Sequence, residues 1–114
     1  MQTPKKVPHL VNLAEDPLAD GCLLWVIKPG RTMVGSVDSD QEADIRLTGD
    51  NVLPQHCYFE TLPDGSVQIV ALSDSTTMVN GQRIGSNKPK ALRSGYRIII
   101  GWHAFRFKCV LTVS

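Results

Sequence analysis

The side chains best suited to chemistry are few and scattered: histidines 9, 56 and 103, cysteines 22, 57 and 109, and an acidic run of Asp38, Asp40, Glu42 and Asp44. A Cys–His pair can make a thiolate nucleophile, a His/Cys set can hold zinc, and paired carboxylates do acid–base work or bind calcium. The spacing supports none of these. His56 and Cys57 are adjacent, and neighbours on a strand point to opposite faces, so they do not chelate one ion together. The acidic run lacks the glycine and terminal glutamate of a calcium loop and reads as a solvated loop. The cysteines, odd in number and widely spaced, make a poor disulfide framework and suit a reducing compartment. They read as small core or surface residues, and His9, His56 and His103 as hydrogen-bonded structural residues. The chain has no Gly-x-x-x-x-Gly-Lys-Ser/Thr loop, no Gly-x-Gly-x-x-Gly turn and no Gly-x-Ser-x-Gly elbow. Neither catalysis nor a cofactor nor a metal is expected.

A length of 114 residues, 42% hydrophobic and 20% charged, suits one domain with an ordinary core. Twelve Lys and Arg against eleven Asp and Glu leave a charge of +1, so no whole-molecule field favours nucleic acid or anionic lipid. Lys88, Lys90, Arg93, Arg97, Arg106 and Lys108 cluster late in the chain. Without interleaved surface aromatics this stripe is not expected to bind nucleic acid. The apolar runs Leu23 to Ile27 and Ile98 to Ile100 fall far short of the ~20 residues of a membrane helix. No apolar region follows Lys5-Lys6, so no secretory signal is expected.

The elements that must position any site are strands. Phe105, Phe107 and Cys109 alternate with Arg106 and Lys108, the pattern of a half-buried strand. Val67, Ile69 and Ala71 line one side of another. Cys22 to Ile27 and Arg97 to Ile100 are apolar on both faces and read as central strands. Shorter runs at Val34, at Asp44 to Leu47 and at Met78-Val79 fit further strands. Pro63-Asp64-Gly65 reads as a hairpin turn, and Asn80-Gly81 as a type I′ turn, whose central residues need positive φ. Pro29-Gly30, Thr48 to Asn51 and Ser94-Gly95 mark more reversals. No helical stripe is present. Many short strands with frequent turns indicate an all-β sandwich or barrel, with function in the loops at one end or on a sheet face.

Five segments in order carry a resemblance: Val34-Gly35; Ala43 to Leu47; Val52 with His56; Thr77-Met78-Val79-Asn80-Gly81; and Leu92 to Gly101. Together they resemble the forkhead-associated (FHA) domain. The lead-in from Val7 to Leu13, with Asp16-Pro17-Leu18 and Leu23-Leu24, is similar to that of kinesin-3 motors, as are His56-Cys57 and Phe105-Arg106-Phe107. The resemblance implies an all-β sandwich of about eleven strands in two packed sheets, with recognition loops at one end. Residues 1–6 are expected to be a flexible stretch and residues 7–114 the FHA domain. The chain would be a non-catalytic piece of a microtubule-stimulated ATPase motor, cytoplasmic and on microtubules through that parent.

FHA domains usually read phosphothreonine through an Arg after the first glycine, a Ser three residues before the His, and an Asn before a later Gly-Thr. Here the matching positions are Ser36, Leu53 and Ser75, with Pro54 where an Arg is common and Thr76 beside Ser75. The resemblance thus implies a degenerate phosphopeptide site that binds weakly or not at all. It gives Gly35, His56, Asn80 and Gly81 supporting roles in the loops. The implied partners are proteins: a flanking coiled coil, the motor head, a second protomer or a cargo adaptor. The isolated domain would be a monomer or weak dimer, without nucleic acid or membrane insertion. Arg93, Arg97, Trp102 and Arg106 are candidate interface residues, since aromatics and Arg dominate interface energetics. Trp25 and Tyr96 read rather as core. The alternative function is a phosphothreonine-reading signalling adaptor.

Overall fold

A computed structural model describes residues 5–6, 8–13, 24–40, 42–109 and 111–112. Val7, Asp16-Pro17-Leu18, Cys22 and Leu23 lie outside them. The described elements are all strands. In chain order they are β1 (Lys5–Lys6), β2 (His9–Asn12), β3 (Leu24–Val26), β4 (Gly30–Ser36), β5 (Ile45–Leu47), β6 (Cys57–Thr61) and β7 (Val67–Ala71). They continue as β8 (Thr77–Val79), β9 (Gln82–Arg83), β10 (Lys90–Leu92), β11 (Arg97–Ile100), β12 (His103–Lys108) and β13 (Leu111–Thr112). Five of them form a sheet ordered β10-β7-β6-β4-β5, and six form a second ordered β3-β2-β12-β11-β8-β9. The expected eleven strands in two sheets are therefore present. Lys5–Lys6, at the end of the stretch expected to be flexible, pairs with β13 as a separate two-stranded ribbon.

Alternation sorts each strand's side chains. Phe105 and Phe107 are 1% exposed, while Arg106 and Lys108 between and beyond them face outward. Val34, Phe59 and Ile69 of the five-stranded sheet and Leu10, Ile98 and Ile100 of the six-stranded sheet are fully buried. They belong to one apolar cluster between the sheets. Each such side chain contributes about 1.5–3 kcal/mol by leaving water.

Turn chemistry sets the register. Asn80 and Gly81 have φ of 51° and 83° and join Val79 to its partner Gln82, the expected I′ hairpin. Pro63-Asp64-Gly65 joins β6 to β7, with the Leu62 carbonyl accepting from Gly65 N at 2.8 Å and Asp64 Oδ1 from Ser66 N at 2.9 Å. One expectation is corrected. The strand from Cys22 to Ile27 was expected to be central, but its described part, β3, is an edge strand. Trp25 lies opposite Leu10 and packs partly buried on the core, whereas Val26 is 62% exposed. Apolar residues on both faces of β3 thus reflect an exposed apolar outer face and not burial between two neighbours.

Candidate functional site

Several loops meet at one end of the sandwich: the β4–β5 connection, residues 48–56, residues 72–76 and the β11–β12 turn. Short backbone contacts hold them together. Ser36 N donates to the Leu53 carbonyl at 3.1 Å, and Gly101 N to the Thr76 carbonyl at 2.9 Å. A His103 ring nitrogen lies 2.7 Å from the Thr48 carbonyl. Gly35 sits where a Cβ would fall 2.1 Å from the Pro54 carbonyl oxygen. Its φ is outside the left-handed region, so close approach alone demands glycine there.

His56 is the hub of this end. It is 0% exposed, and its Nδ1 accepts from Leu53 N at 3.2 Å. That acceptor role places the ring proton on Nε2, which donates to the Thr76 carbonyl at 2.9 Å. The backbone of His56 is engaged too, its N–H on Val34 and its carbonyl accepting from Leu72 N, each at 3.0 Å. Burial pulls the imidazole below its ordinary pKa, against an opposing effect of the Thr76 bond. A neutral imidazole thus ties the 48–56 loop to the 72–76 loop. Beside it, Cys57 is buried, and burial pushes its thiol far from ionisation.

The positions that the resemblance assigns to a phosphate, Ser36, Leu53, Pro54, Ser75 and Thr76, carry no cation. Ser36 is 7% exposed, and its Oγ accepts from Asp38 N at 3.1 Å. Ser75 is 3% exposed, and its Oγ donates to the His56 carbonyl at 2.6 Å and lies 3.0 Å from Thr77 Oγ1. Leu53 is half-buried and Pro54 exposed, and with Gln55 and Ser73 they line a shallow groove of about 280 Å³. Thr76 is exposed. The Ser75 hydroxyl is therefore spent on the His56 carbonyl, whereas Ser36 Oγ accepts from Asp38 N and keeps its own hydrogen to donate.

Charge at this end is chiefly acidic. Asp38, Asp40 and Glu42 are exposed. Asp44 is not merely part of a solvated loop: Oδ1 accepts from Lys28 Nζ at 2.6 Å and Oδ2 from Met33 N at 2.8 Å. The Lys28 hydrogen bond and the Met33 N–H hold its carboxyl below the usual range. Two further cations lie near: Arg46, exposed on β5 opposite Gly35, and Arg83, whose guanidinium reaches the 72–76 loop. Among the described residues, no group of three His, Cys, Asp or Glu could hold a metal.

The 72–76 loop has anchors that the sequence reading missed. Ser73 and Asp74 have φ of 51° and 55°, and Ser75 N closes the turn on the Leu72 carbonyl at 2.9 Å. Asp74 N donates to Ser86 Oγ at 2.7 Å, and Arg83 Nη2 to the Asp74 carbonyl at 2.9 Å. The Ser-Asp-Ser composition was the available signal for the turn. Its long-range anchors leave no local trace.

The remaining predicted residues separate. Asn80 and Gly81 lie at the other end of the short strand β8, where Asn80 Oδ1 accepts from Arg97 N at 2.9 Å. Trp102 is 79% exposed on the β11–β12 turn, at the loop end. Arg97 and Arg106 lie directly opposite each other on β11 and β12. Exposed Arg93 sits in the β10–β11 turn at the far end. Tyr96, like Trp25, packs partly buried on the core.

Comparison with known proteins places this architecture. A family model for the FHA domain matches residues 30–101, and one described as kinesin-associated matches residues 1–31. The chain is 46% identical over 110 residues to kinesin-like protein KIF1B of Homo sapiens, covering 92% of this chain and 6% of that protein. It is 47% identical over 110 residues to kinesin-like protein KIF1C of Rattus norvegicus, covering 92% of this chain and 10% of that protein. It thus spans a small fraction of the length of the curated relatives it matches. Among solved structures, the FHA domain of CT664 protein from Chlamydia trachomatis superposes with a TM-score of 0.74 at 26% identity, over 90% of this chain and 96% of that one. Mycobacterium tuberculosis EmbR, solved with a low affinity phosphopeptide, superposes at 0.76 and 23% identity, over 96% of this chain and 26% of that one, a likeness of fold alone. On these matches and the two-sheet strand order, the chain belongs to the FHA domain family, in the form similar to that of kinesin-3 motor proteins.

Proposed function

We propose that the chain is a protein-interaction and regulatory module of a kinesin-3 microtubule motor. It acts in dimerisation, autoinhibition or docking of a cargo adaptor, and its phosphothreonine site is degenerate. FHA domains are non-catalytic interaction modules that typically bind phosphopeptides, so the ATPase of such a motor belongs to another domain. Residues 7–114 are the folded unit of this reading. Its partners are a flanking coiled coil, the motor head, a second protomer or an adaptor, in the cytoplasm and on microtubules through the parent chain. The isolated domain is a monomer or weak dimer.

The observation that carries the reading is the state of Ser36 and Ser75. A phosphate dianion leaving water needs charge-assisted hydrogen bonds, each worth about 1.5–3 kcal/mol, and Arg supplies them best. Ser36 and Ser75 are buried and carry no charge, the Ser75 hydroxyl already donates to the His56 carbonyl, the Ser36 hydroxyl offers at most one neutral donor, and Leu53 and Pro54 offer no donor side chain. Asp38 and Asp40 add repulsion. His56 keeps its structural role, bracing Leu53 against Thr76.

The test is calorimetric titration with matched phosphothreonine and unmodified peptide libraries. The expected result is no phosphate-dependent binding in the micromolar range. The second reading, a phosphothreonine-reading adaptor, is favoured by exposed Thr76 and Arg46 and by the phosphopeptide bound to EmbR. Micromolar binding abolished by dephosphorylation would establish it instead.

A further inference from the structure

We infer that the outer face of the six-stranded sheet is a docking surface for an acidic, amphipathic protein segment. The inference deepens the interaction-module reading and rests on it, but concerns a different surface from the loop end.

The strand registers lay this face out in rows. One row runs Arg83, Met78, Ile99, Ala104 across β9, β8, β11 and β12. The next runs Arg97, Arg106, Val11, and a third Lys108, His9, Val26. Residues directly opposite share a face, and the intervening positions Val79, Ile98, Ile100, Phe105, Phe107 and Leu10 are the buried ones. All members of the three rows therefore face away from the core. Aliphatic side chains fill the middle of the face, and Val26 at its edge is 62% exposed.

The charge on this face is of one sign. Strands β2, β3, β8, β9, β11 and β12 contain no Asp or Glu, while Arg83, Arg97, Arg106 and Lys108 all lie on the outer side. Among the described residues, none of these four pairs with a carboxylate. Arg106 Nη1 and Arg83 Nη2 reach only backbone carbonyls, of Gly95 and Asp74. The cross-strand pair Arg97–Arg106 is unfavourable in the isolated domain, because like charges directly opposite repel. A partner that inserts carboxylates between them relieves that repulsion. Guanidinium forks fit carboxylates two bonds at a time, and the aliphatic middle supplies apolar burial. That aliphatic middle favours a protein segment with alternating Leu-like and Glu-like faces over a phosphodiester backbone. A membrane surface fits less well, since the exposed Trp102 lies on the loop end and not on this face.

The test uses the whole chain, isotope-labelled, and four probes: a helical peptide of repeating Leu and Glu, its Leu–Lys counterpart, phosphatidylserine-containing vesicles, and a DNA duplex. The Leu–Glu peptide is expected to shift the amides of residues 11, 78, 97–99 and 104–108, and to weaken as salt rises. The Leu–Lys peptide is expected to leave them unmoved. Arg97→Glu with Arg106→Glu should weaken the Leu–Glu peptide about tenfold or more. Because that double variant removes the Gly95 contact, Arg97→Gln provides a second arm. It should lower affinity while holding or raising the melting temperature, a combination that a purely structural arginine cannot give. The inference is overturned if the Leu–Glu peptide shifts nothing on this face, or if vesicles or DNA bind it more tightly. A phosphothreonine peptide added to the same sample reads residues 36, 53, 75 and 76, so failure of the loop-end reading shows at different amides.

Discussion

Replacing Gly35 by alanine tests the construction of the loop end at a single atom. An ideal Cβ there falls 2.1 Å from the Pro54 carbonyl oxygen and 3.1 Å from its carbon. Carbon–oxygen contacts settle at about 3.3 Å or more, so the loop must retreat by roughly 1.2 Å. A retreat of that size carries the Ser36 N–Leu53 O bond, now 3.1 Å, out of hydrogen-bond range, and draws Leu53 N away from His56 Nδ1. Two lost bonds at about 1 kcal/mol each and an overpacking cost of about 1–3 kcal/mol give a loss of about 3–5 kcal/mol. That is a large part of the ~5–15 kcal/mol that usually holds a domain together. Urea unfolding measures it as a fall in midpoint at unchanged slope. Gly85→Ala is the control, since its φ lies outside the left-handed region and its Cβ meets only the flexible Lys88 side chain, at 3.3 Å. A Gly35→Ala protein that loses less than about 1 kcal/mol, with the amides of residues 51–53, 55 and 56 unmoved, would refute this account of why glycine is needed.

Three further outcomes are expected. Because the folded pKa of His56 lies below its unfolded value near 6.5, its contribution to stability is complete above about pH 6.5. It is lost as pH falls from there through the folded pKa, by up to about 1.4 kcal/mol per pH unit, and melting curves of His56→Gln should lack that slope. Installing Ser36→Arg with Leu53→Ser should raise phosphothreonine affinity about tenfold to 150-fold, as one charge-assisted contact of ~1.5–3 kcal/mol allows. A folded double variant with no gain means that these positions do not face the phosphate. Asn80→Ala, which removes the acceptor for Arg97 N and puts alanine at a φ of 51°, should cost about 1–3 kcal/mol by thermal or chemical unfolding.

Local signals were legible wherever one residue type alone satisfies the geometry. Asn80-Gly81 announced its turn because both residues must take positive φ, and Phe105–Phe107 announced its strand by period. The position of β3 was not legible, since an apolar outer face and a neighbouring strand ask for the same residues. Strand β10 was missed because Lys90-Ala91-Leu92 alternates with nothing recognisable. The candidate loop positions could be named from the family resemblance, but not the inward turn of Ser75, whose partners are the His56 carbonyl on another segment and Thr77 two residues on. The facing pair Arg97–Arg106 follows from the turn at Gly101-Trp102 once both strands are known, and it is invisible in composition, where opposite charges balance.

The family model for the FHA domain begins at residue 30, inside the sandwich as folded. Strands β2 and β3 precede that point, yet β2 runs beside β12 from Asn12 against Phe105 to His9 against Lys108. A chain trimmed to start there would strip β12 of its neighbour. Its backbone N–H and C=O groups along that margin would be left as a template for any extended strand in solution, with Phe105 and Phe107 uncovered on one side. The trimmed chain should form oligomers or precipitate where the full one does not, so the boundary of the working unit is set by strand pairing and not by the reach of the motif.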